Sequence, residues 1–222
     1  ENRLPGKLGS FAVVANGSKT ADGMAMLLGA PQMGEPRESE TQIGNEVELI
    51  APTLHIGGMI VAGLPGVIIG RNNHVAWSLT SGLSDNQDVY IETTMDVSYG
   101  KYWYDGKWRD FETIVDTIRI AGIDEYYTHY RTIHGPVFSD DLANNQAYSL
   151  KMSFWKDEVG MMKSIYNMWR ATNLTEFEEA IKLNPMSFNV FYADKAGDIK
   201  FWHVGRYQDR TDGVDPRLPH NG

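Results

Sequence analysis

The chain contains no cysteine among its 222 residues. This absence excludes disulfide bonds, a thiol nucleophile and zinc sites built from thiolates. It assigns no cellular compartment, because many secreted bacterial proteins also lack cysteine. Long apolar runs are missing as well: none approaches the roughly 20 residues that a membrane-spanning helix needs. The first residues, ENRLPGKLG, lack the apolar segment of a signal peptide.

Basic residues are outnumbered, with 20 Lys and Arg against 29 Asp and Glu and a net charge of -9. They form no cluster, so the sequence has no electrostatic footprint for binding nucleic acid. The acidic balance favours solubility and is compatible with a bound cation. The apolar and charged fractions are those of a globular protein.

The first third of the chain shows patterns typical of short strands. Residues 11–15 form an apolar run that predicts a buried strand, followed by a turn at Asn16-Gly17 and a returning strand at 24–28. The glutamate-rich residues 34–48 are predicted to form a solvent-facing loop. A segment rich in valine, isoleucine and glycine, residues 54–82, predicts several closely packed strands.

The remainder of the chain adds strands and two helices. Further strands are predicted at 88–93, 128–138, 188–194 and 198–204, with a hairpin turn at Asp105-Gly106. Apolar residues recur at helical spacing over 157–169. A second helix is predicted to run to Ile181, with Thr175 as its N-cap. The sequence therefore predicts an α+β protein that is mostly β, with two helices near residues 156–182 inserted between strands.

Most of the side chains that could carry chemistry are scattered. The six histidines form no metal-binding pair at helical spacing, and no G-x-S-x-G elbow is present. Two aromatic patches, at residues 102–104 and at Phe201-Trp202, fit either strand packing or a groove for a sugar or an apolar ligand. A non-catalytic, β-rich glycan-binding module is therefore one interpretation of the chain.

Two short stretches each allow an ordinary and a functional interpretation. Asp85 and Asp88 lie three residues apart in a polar turn, so they are either solvated loop residues or ligands of Ca²⁺, which prefers oxygen donors. Gly9-Ser10 stands directly before a strand. It is either a turn or the site of a serine nucleophile that becomes a chain terminus.

Eight stretches, in their order and approximate spacing, resemble the β-chain of the penicillin acylase family of N-terminal-nucleophile hydrolases. They run from Gly9 to about Pro219 and are GSFAVVANGSKTADG, GAPQMG, LPGVIIGRNNHVAW, TSGLSDNQDVYIE, YDGKW, YRTIHGPV, NVFYADKAGDIKFWHVGRY and DPRLP. The resemblance implies part of a four-layer αββα sandwich. It implies that residues 1–9 end a spacer peptide and that residues 10–222 begin the β-chain as an incomplete domain.

The resemblance also implies a mechanism for Ser10. In this family the precursor cuts itself, here between Gly9 and Ser10, so the chain as given would be an unprocessed zymogen segment. The released serine hydroxyl is the nucleophile, and its α-amino group acts as base through a water molecule. An α-amine has a pKa of about 8, so much of it is neutral near pH 7. An intact Gly9-Ser10 amide has no such basicity.

Further residues are assigned by the same resemblance. Gln32 matches a residue whose backbone positions the nucleophile, and Ser81 matches one whose backbone N–H forms half of the oxyanion hole. The family usually has alanine at the position of Ser81. The implied acyl-pocket positions are Met33, Ile69, Ile165 and Phe188. The implied ligands of a structural calcium ion are Asp85, the Gln87 carbonyl, Asp88 and the Pro216 carbonyl, and no organic cofactor is implied.

The family resemblance predicts an amidohydrolase that removes an acyl group from a β-lactam side chain or an N-acyl-homoserine lactone. Its partners would be a small acyl amide, an α-chain and the rest of the β-chain, which carries an asparagine as second oxyanion donor; neither nucleic acid nor a membrane is expected. Periplasmic or extracellular location is inferred from the bacterial family. We expect the chain alone to be inactive and to self-associate. An acylase homologue without activity is the remaining alternative.

Overall fold

The computed structural model describes residues 9–32, 44–61, 63–64, 66–96, 98–210 and 213–222. The chain divides into two compact units. The first comprises the described residues up to Ser84 together with Lys156–Arg206, and the second comprises Asp85–Trp155 and Tyr207–Gly222.

The first unit contains a hairpin, a six-stranded sheet and both helices. Its strands are β1 (Gly9–Ala15), β2 (Met26–Gln32), β3 (Gly44–Ala51), β4 (Leu54–Val61), β5 (Ile69–Arg71), β6 (Val75–Ser81), β14 (Phe188–Asp194) and β15 (Ile199–Val204). Its helices are α1 (Glu158–Arg170) and α2 (Leu174–Ile181). The sheet is antiparallel, in the order β15-β14-β6-β5-β4-β3.

Both helices pack on one face of this sheet. Trp77 of β6, Tyr192 of β14 and Phe177 of α2 are completely buried, and the Trp77 and Phe177 rings lie 6.2 Å apart. Helix α1 joins this core through Met161, Ile165 and Met168, which lie three or four residues apart and therefore share one face. The predicted N-cap Thr175 is wrong: Asn173 caps α2, because its side chain accepts the Glu176 backbone N–H at 3.0 Å.

The hairpin β1–β2 contacts β6 and β14 on the face opposite the helices. A side chain at Gly29 would lie 2.4 Å from Ser78 Oγ, so glycine is what allows β2 to approach β6 this closely. Residues 11–15 do form a strand, but the prediction that it is buried is wrong. Strand side chains alternate between faces, and Phe11 and Val13 on the outer face are 50% and 57% exposed.

The second unit is built from strands. These are β7 (Gln87–Asp96), β8 (Ser98–Tyr104), β9 (Lys107–Asp110), β10 (Glu112–Ile120), β11 (Ile123–Arg131), β12 (Val137–Asp141), β13 (Gln146–Met152) and β16 (His220–Asn221). Five form a sheet in the order β12-β13-β7-β8-β9, and β16 pairs with β7 in parallel. Strands β10 and β11 form a separate long hairpin.

A buried carboxylate lies at the centre of the second unit. Glu92 of β7 is completely buried, and its Oε1 accepts hydrogen bonds from Ser149 at 2.5 Å, Thr132 at 2.6 Å and His134 Nδ1 at 2.9 Å. The His134 ring stacks on Tyr90, with 3.8 Å between the ring centres. Glu92 thus ties β7, β13 and the segment after β11 together.

The expected fold, mostly β with two helices in the region 156–182, is confirmed. The predicted hairpin turn at Asp105-Gly106 is also confirmed, since it joins β8 to β9 with positive φ at both residues. The loop predicted over 34–48 is wrong where it can be compared, because residues 44–48 belong to β3 and the others lie outside the described residues. The single strand predicted at 128–138 is instead the end of β11 and the start of β12.

Neither of the two helices in the described ranges has both the length and the apolar character that crossing a bilayer requires.

Candidate active site

A largely apolar cavity of about 460 Å³ lies in the first unit, where several strands end. Ser10 comes from the start of β1, Gln32 from the end of β2, Ser81 from the end of β6 and Phe188 from the start of β14. Helix α1 contributes Ile165 and two methionines to the wall. A volume of this size suits a small organic ligand, since such pockets span about 300–1,000 Å³.

Ser10 is fixed at the cavity by the pairing of β1 with β2. In this antiparallel pair Gly9 lies opposite Gln32, and Ser10 lies opposite Pro31. The Gln32 backbone N–H donates a hydrogen bond to Ser10 Oγ at 3.2 Å. The hydroxyl therefore has a backbone donor that depends on the hairpin register and not on any side chain.

The pairing of β6 with β14 fixes the direction of the Ser81 backbone N–H. The Gly82 N–H donates to the Ser187 carbonyl at 3.1 Å, and Ser81 lies opposite Phe188 in the same antiparallel pairing. Hydrogen-bonded and non-hydrogen-bonded pairs alternate along such a ladder. The Ser81–Phe188 pair is therefore of the non-bonded type, and the Ser81 N–H points away from β14.

Three of the four predicted acyl-pocket residues line this same cavity. Ile165 is buried, whereas Ile69 and Phe188 are partly buried. Met33, the fourth, lies outside the described residues. The structure thus brings Ser10, Gln32, Ser81, Ile69, Ile165 and Phe188 around one space.

The cavity also has walls that the sequence did not single out. Asn184 is a buried polar residue of the wall, and Thr80 lies beside Ser81. Met161 and Met168 of α1 also line the cavity, and the sequence singled out neither. No local signal identifies Asn184, because it lies in the segment between α2 and β14, whose position depends on tertiary packing.

In chemical terms the site combines a serine hydroxyl, a backbone N–H beside a strand end and an apolar chamber. A hydroxyl can attack a carbonyl carbon, a fixed N–H can hold the oxygen that becomes negative, and an apolar wall can hold an acyl side chain. In the chain as given the Ser10 nitrogen belongs to the amide with Gly9 and has no basicity.

The predicted calcium ligands lie in the second unit. Asp88 is buried, and both of its carboxylate oxygens accept hydrogen bonds from Arg210 at 2.8–3.2 Å. The same guanidinium lies 3.2 Å from an Asp85 carboxylate oxygen and 3.3 Å from the Asp85 carbonyl. Asp88 raises the pKa of Arg210 above its ordinary value. The two carboxylates therefore converge on one cationic group.

These residues remain compatible with a metal ion. Each ionised carboxylate offers about four lone-pair sites, and Arg210 occupies only some of them. Two carboxylates face one guanidinium, and His220 Nε2 also lies 3.6 Å from Asp88 Oδ1. With a neutral His220 ring this group carries an excess negative charge, which favours a further cation. Gln87 begins β7 nearby in sequence, and Pro216 is exposed. Within the part of the chain that the structure describes, no three His, Asp or Glu side chains gather as metal ligands, so any ion would depend on carbonyl oxygens as well.

The aromatic patches divide between packing and exposure. Tyr102 is buried and packs on Phe111 with ring centres 4.9 Å apart, and Trp202 packs on Phe177 at 5.9 Å. Trp103 and Phe201 are partly exposed, at 40% and 54%. Each patch thus contributes a side chain to a core and only one ring to the surface.

Comparisons with known proteins bear on the family and the fold of the chain. The family model for penicillin amidase matches residues 2–222. Penicillin G acylase of Escherichia coli is 31% identical over 212 residues, which is 92% of this chain and 24% of that protein. The acyl-homoserine lactone acylase QuiP of Pseudomonas aeruginosa is 28% identical over 191 residues, which is 79% of this chain and 22% of that protein.

Among solved structures, the thermostable penicillin G acylase from Alcaligenes faecalis superimposes with a TM-score of 0.85 at 29% identity. The match covers 95% of this chain and 38% of that one. The expected N-terminal-nucleophile hydrolase fold is thereby confirmed. The chain spans about a quarter of the length of the curated relatives that it matches.

Proposed function

The chain belongs to the penicillin amidase family, and we propose that it forms the nucleophile-bearing part of an amidohydrolase that removes an acyl group from an amide. The observation that carries this proposal is the gathering of Ser10, the Gln32 N–H and the end of β6 around one apolar cavity. The relatives named as acylases support the same general activity.

The first step of the proposal is self-cleavage between Gly9 and Ser10. Ser10 Oγ attacks the Gly9 carbonyl carbon, the peptide C–N bond breaks and an ester links Gly9 to the serine oxygen. Water hydrolyses this ester and releases the residues before Ser10 with a free carboxylate. Glycine at position 9 suits this step, because it leaves the carbonyl open to attack.

In the second step the new α-amino group of Ser10 serves as the base. With a pKa of about 8 it is partly neutral near pH 7, so it can accept the hydroxyl proton through a water molecule. The oxygen then attacks the substrate amide carbon and forms an acyl-enzyme. The amine leaves with a proton, and water hydrolyses the ester.

The Ser81 N–H is the proposed donor to the oxyanion. Its direction away from β14 leaves it available to a ligand at the cavity. Loss of one such donor typically reduces a rate by about 10²–10³. The serine side chain in place of the family's usual alanine does not alter the backbone N–H. A second donor, an asparagine side chain, would come from the remainder of the β-chain.

The substrate is proposed to carry an acyl group that fits against Ile69, Ile165 and Phe188. The proposed classes are an acylated β-lactam and an N-acyl-homoserine lactone, which correspond to the names of the two groups of relatives. Met33 is a further proposed wall residue. Because the described wall is mostly aliphatic, aliphatic acyl groups are proposed alongside phenylacetyl.

Calcium and the other partners belong to the same proposal. Asp85, Asp88 and the carbonyls of Gln87 and Pro216 would hold a calcium ion, which would supply positive charge that holds this loop region and would take no part in the reaction. An α-chain and further β-chain would complete the site. We propose a periplasmic or extracellular location, as for an exported bacterial acylase, and little activity for this chain by itself.

The test follows the intact mass and the acylase activity of the full-length protein. Wild type is expected to release a fragment with Ser10 as its new N-terminus and to hydrolyse members of a panel of phenylacetyl, straight-chain acyl and acyl-homoserine lactone amides. Ser10→Ala is expected to remain uncleaved and inactive. Activity that persists in Ser10→Ala, or wild type that is neither cleaved nor active, would contradict the proposal.

A further inference from the structure

A directed chain of hydrogen bonds leads to the Ser81 peptide from outside the cavity. Ser187 Oγ donates to Ser84 Oγ at 2.8 Å, and Ser84 Oγ lies 2.7 Å from His203 Nε2. His203 Nδ1 lies 2.7 Å from Asn189 Oδ1. Asn189 Nδ2 then donates to the Ser81 carbonyl at 3.1 Å.

The direction of each bond follows from what its groups can donate. Asn189 Oδ1 can only accept, so His203 Nδ1 must carry the hydrogen. In the neutral ring Nε2 is then the acceptor and receives the Ser84 hydroxyl. Although the His203 ring is exposed, both of its nitrogens are therefore engaged. The amide of Asn189 is consequently held with its nitrogen towards β6.

Asn189 holds β6 at two points that flank the Ser81 N–H. Besides the Ser81 carbonyl, its Nδ2 contacts Thr80 Oγ1 at 3.1 Å. The Gly82 N–H, which belongs to the same peptide unit as the Ser81 carbonyl, donates to the Ser187 carbonyl. A side chain at position 82 would lie 2.2 Å from Ser187 Oγ, so glycine is what allows this segment to pack so closely against Ser187. The peptide units around Ser81 are thus fixed from two sides.

We propose that Asn189 and His203 are positioning residues that orient the Ser81 backbone N–H as an oxyanion donor. Neither side chain lines the cavity, so any effect on the reaction would be exerted through Ser81. The inference rests on the proposed function, because an oriented N–H matters only where an oxyanion forms. Fixed orientation is what gives such a donor its effect, since no reorganisation is then needed in the transition state.

Substitutions of similar shape separate orientation from packing. In His203→Asn the new amide can still donate to Asn189 Oδ1. In His203→Asp the carboxylate can only accept, so it draws the Asn189 nitrogen towards itself and turns the oxygen towards the Ser81 carbonyl. Asn189→Asp removes the donor directly. None of the three substitutions introduces a larger side chain than the one it replaces.

The kinetics are measured on the full-length protein with one amide substrate. Asn189→Asp and His203→Asp are expected to lower kcat by about tenfold or more with little change in KM, whereas His203→Asn keeps most of kcat. Sulfonylation of Ser10 by a sulfonyl fluoride, in which the serine oxygen bonds to sulfur, fluoride leaves and negative charge develops on a sulfonyl oxygen, should slow in parallel. Thermal midpoints of the two His203 variants should be similar.

Two results would overturn the inference while leaving the proposed function intact. One is full kcat in both aspartate variants of an enzyme that Ser10→Ala inactivates. The other is an equal loss in His203→Asn and His203→Asp that follows a fall in thermal midpoint, which indicates packing alone. If wild type shows no deacylation dependent on Ser10, the proposed function fails.

The tautomer of His203 tests the chain of bonds without any activity measurement. Nitrogen chemical shifts of the ring in full-length Ser10→Ala protein should report a hydrogen on Nδ1 and a bare, accepting Nε2 in the neutral form. A hydrogen on Nε2 instead would reverse the bonds to Ser84 and Asn189 and overturn the inference.

Discussion

The backbone N–H of Gln32 lies 3.2 Å from Ser10 Oγ and donates a hydrogen bond to it. The contact follows from the β1–β2 register, which sets Gln32 opposite Gly9. The proposed cleavage point and the donor to the proposed nucleophile thus face each other across one hairpin. A slip of this register by one residue would turn Ser10 to the other face of the hairpin.

Removal of the Gln32 N–H is expected to impair both reactions of Ser10. Gln32→Pro deletes this donor, and we expect self-cleavage and deacylation to slow by about tenfold, the usual effect of a bond worth about 1.4 kcal/mol. Gln32→Ala keeps the N–H and should retain most of both rates. Mass spectrometry of the precursor and initial rates of amide hydrolysis provide the measurements. Equal losses in the two variants would assign the role to the side chain instead.

The extent to which the site could be predicted differs between residues. Ser10, Gln32 and Ser81 lie in short stretches with a family resemblance, so the sequence alone identified them as candidates. Asn189 and His203 lie in a matching stretch too, but nothing in the sequence indicates that their side chains meet. Their contact depends on the register of β14 with β15, where Asn189 lies opposite His203, and register is a tertiary property.

The fold was predictable where local signals are strong. The helical apolar spacing identified α1, and Asp105-Gly106 identified the β8–β9 turn, because both signals are contained within a few residues. Strand β10 was missed, since its side chains are largely exposed and, among the strands that the structure describes, it pairs with β11 alone. The burial of β1 was overestimated, because an apolar run does not reveal which of its two faces is covered.

Phe188 is expected to influence the size of the accepted acyl group. It lines the cavity and lies opposite Ser81, so Phe188→Leu should enlarge the chamber near the reacting carbon. We expect the ratio of kcat/KM for a longer acyl chain to that for a shorter one to rise about tenfold, the usual effect of one or two methylene groups in a pocket. Phe201→Leu, which changes an exposed ring outside the cavity, is the control. If this ratio of kcat/KM values is the same in wild type and in both variants, Phe188 does not contact the acyl group, which contradicts the proposed pocket.

Calcium should stabilise the full-length protein if Asp85 and Asp88 hold it. A ligand at a hundred times its dissociation constant adds about 2.7 kcal/mol to stability, so the thermal midpoint should rise by several degrees with calcium and fall with a chelator. Asp85→Asn should reduce this difference, whereas Asp110→Asn, at an exposed residue paired with Lys101, should not. A midpoint that does not respond to calcium in wild type would contradict the proposed site.

Glu92 should make the second unit sensitive to acid. Burial alone raises the pKa of Glu92, but hydrogen bonds from His134, Ser149 and Thr132 outweigh this effect and lower the pKa below its ordinary value of 4.5. A carboxyl whose folded pKa is lowered contributes stability above its unfolded pKa, and this contribution is lost as the pH falls through the folded pKa. We therefore expect wild-type stability to decline once the pH falls below about 4.5.

The variant Glu92→Gln isolates this contribution. Near pH 7 it should have a lower thermal midpoint than wild type, because the three donors lose a charged acceptor. A hydrogen bond to a charged group typically contributes about 1.5–3 kcal/mol to the free energy of unfolding. The gap between the two midpoints should narrow as the pH falls below 4.5. Glu112→Gln, at an exposed position of β10, should show no such pattern. If the difference between the two thermal midpoints stays constant from pH 7 to pH 3.5, the stabilisation by Glu92 does not depend on its ionisation, which contradicts the prediction.

The outer face of the β1–β2 hairpin is expected to drive self-association of the isolated chain. Phe11, Val13, Met26 and Leu28 are each between 50% and 60% exposed, and Val13 lies directly opposite Leu28. A contiguous apolar face of this kind normally marks a surface that another part of a protein covers. We expect light scattering to detect oligomers whose fraction grows with concentration.

The double substitution Val13→Ser and Leu28→Ser should shift these oligomers towards monomer. Ile118→Ser with Ile123→Ser removes similar apolar area from the β10–β11 hairpin and should have little effect. If only the Ile118→Ser and Ile123→Ser pair dissociates the oligomers, the chains associate through the β10–β11 hairpin instead. A wild-type chain that is monomeric at every concentration would contradict the expectation.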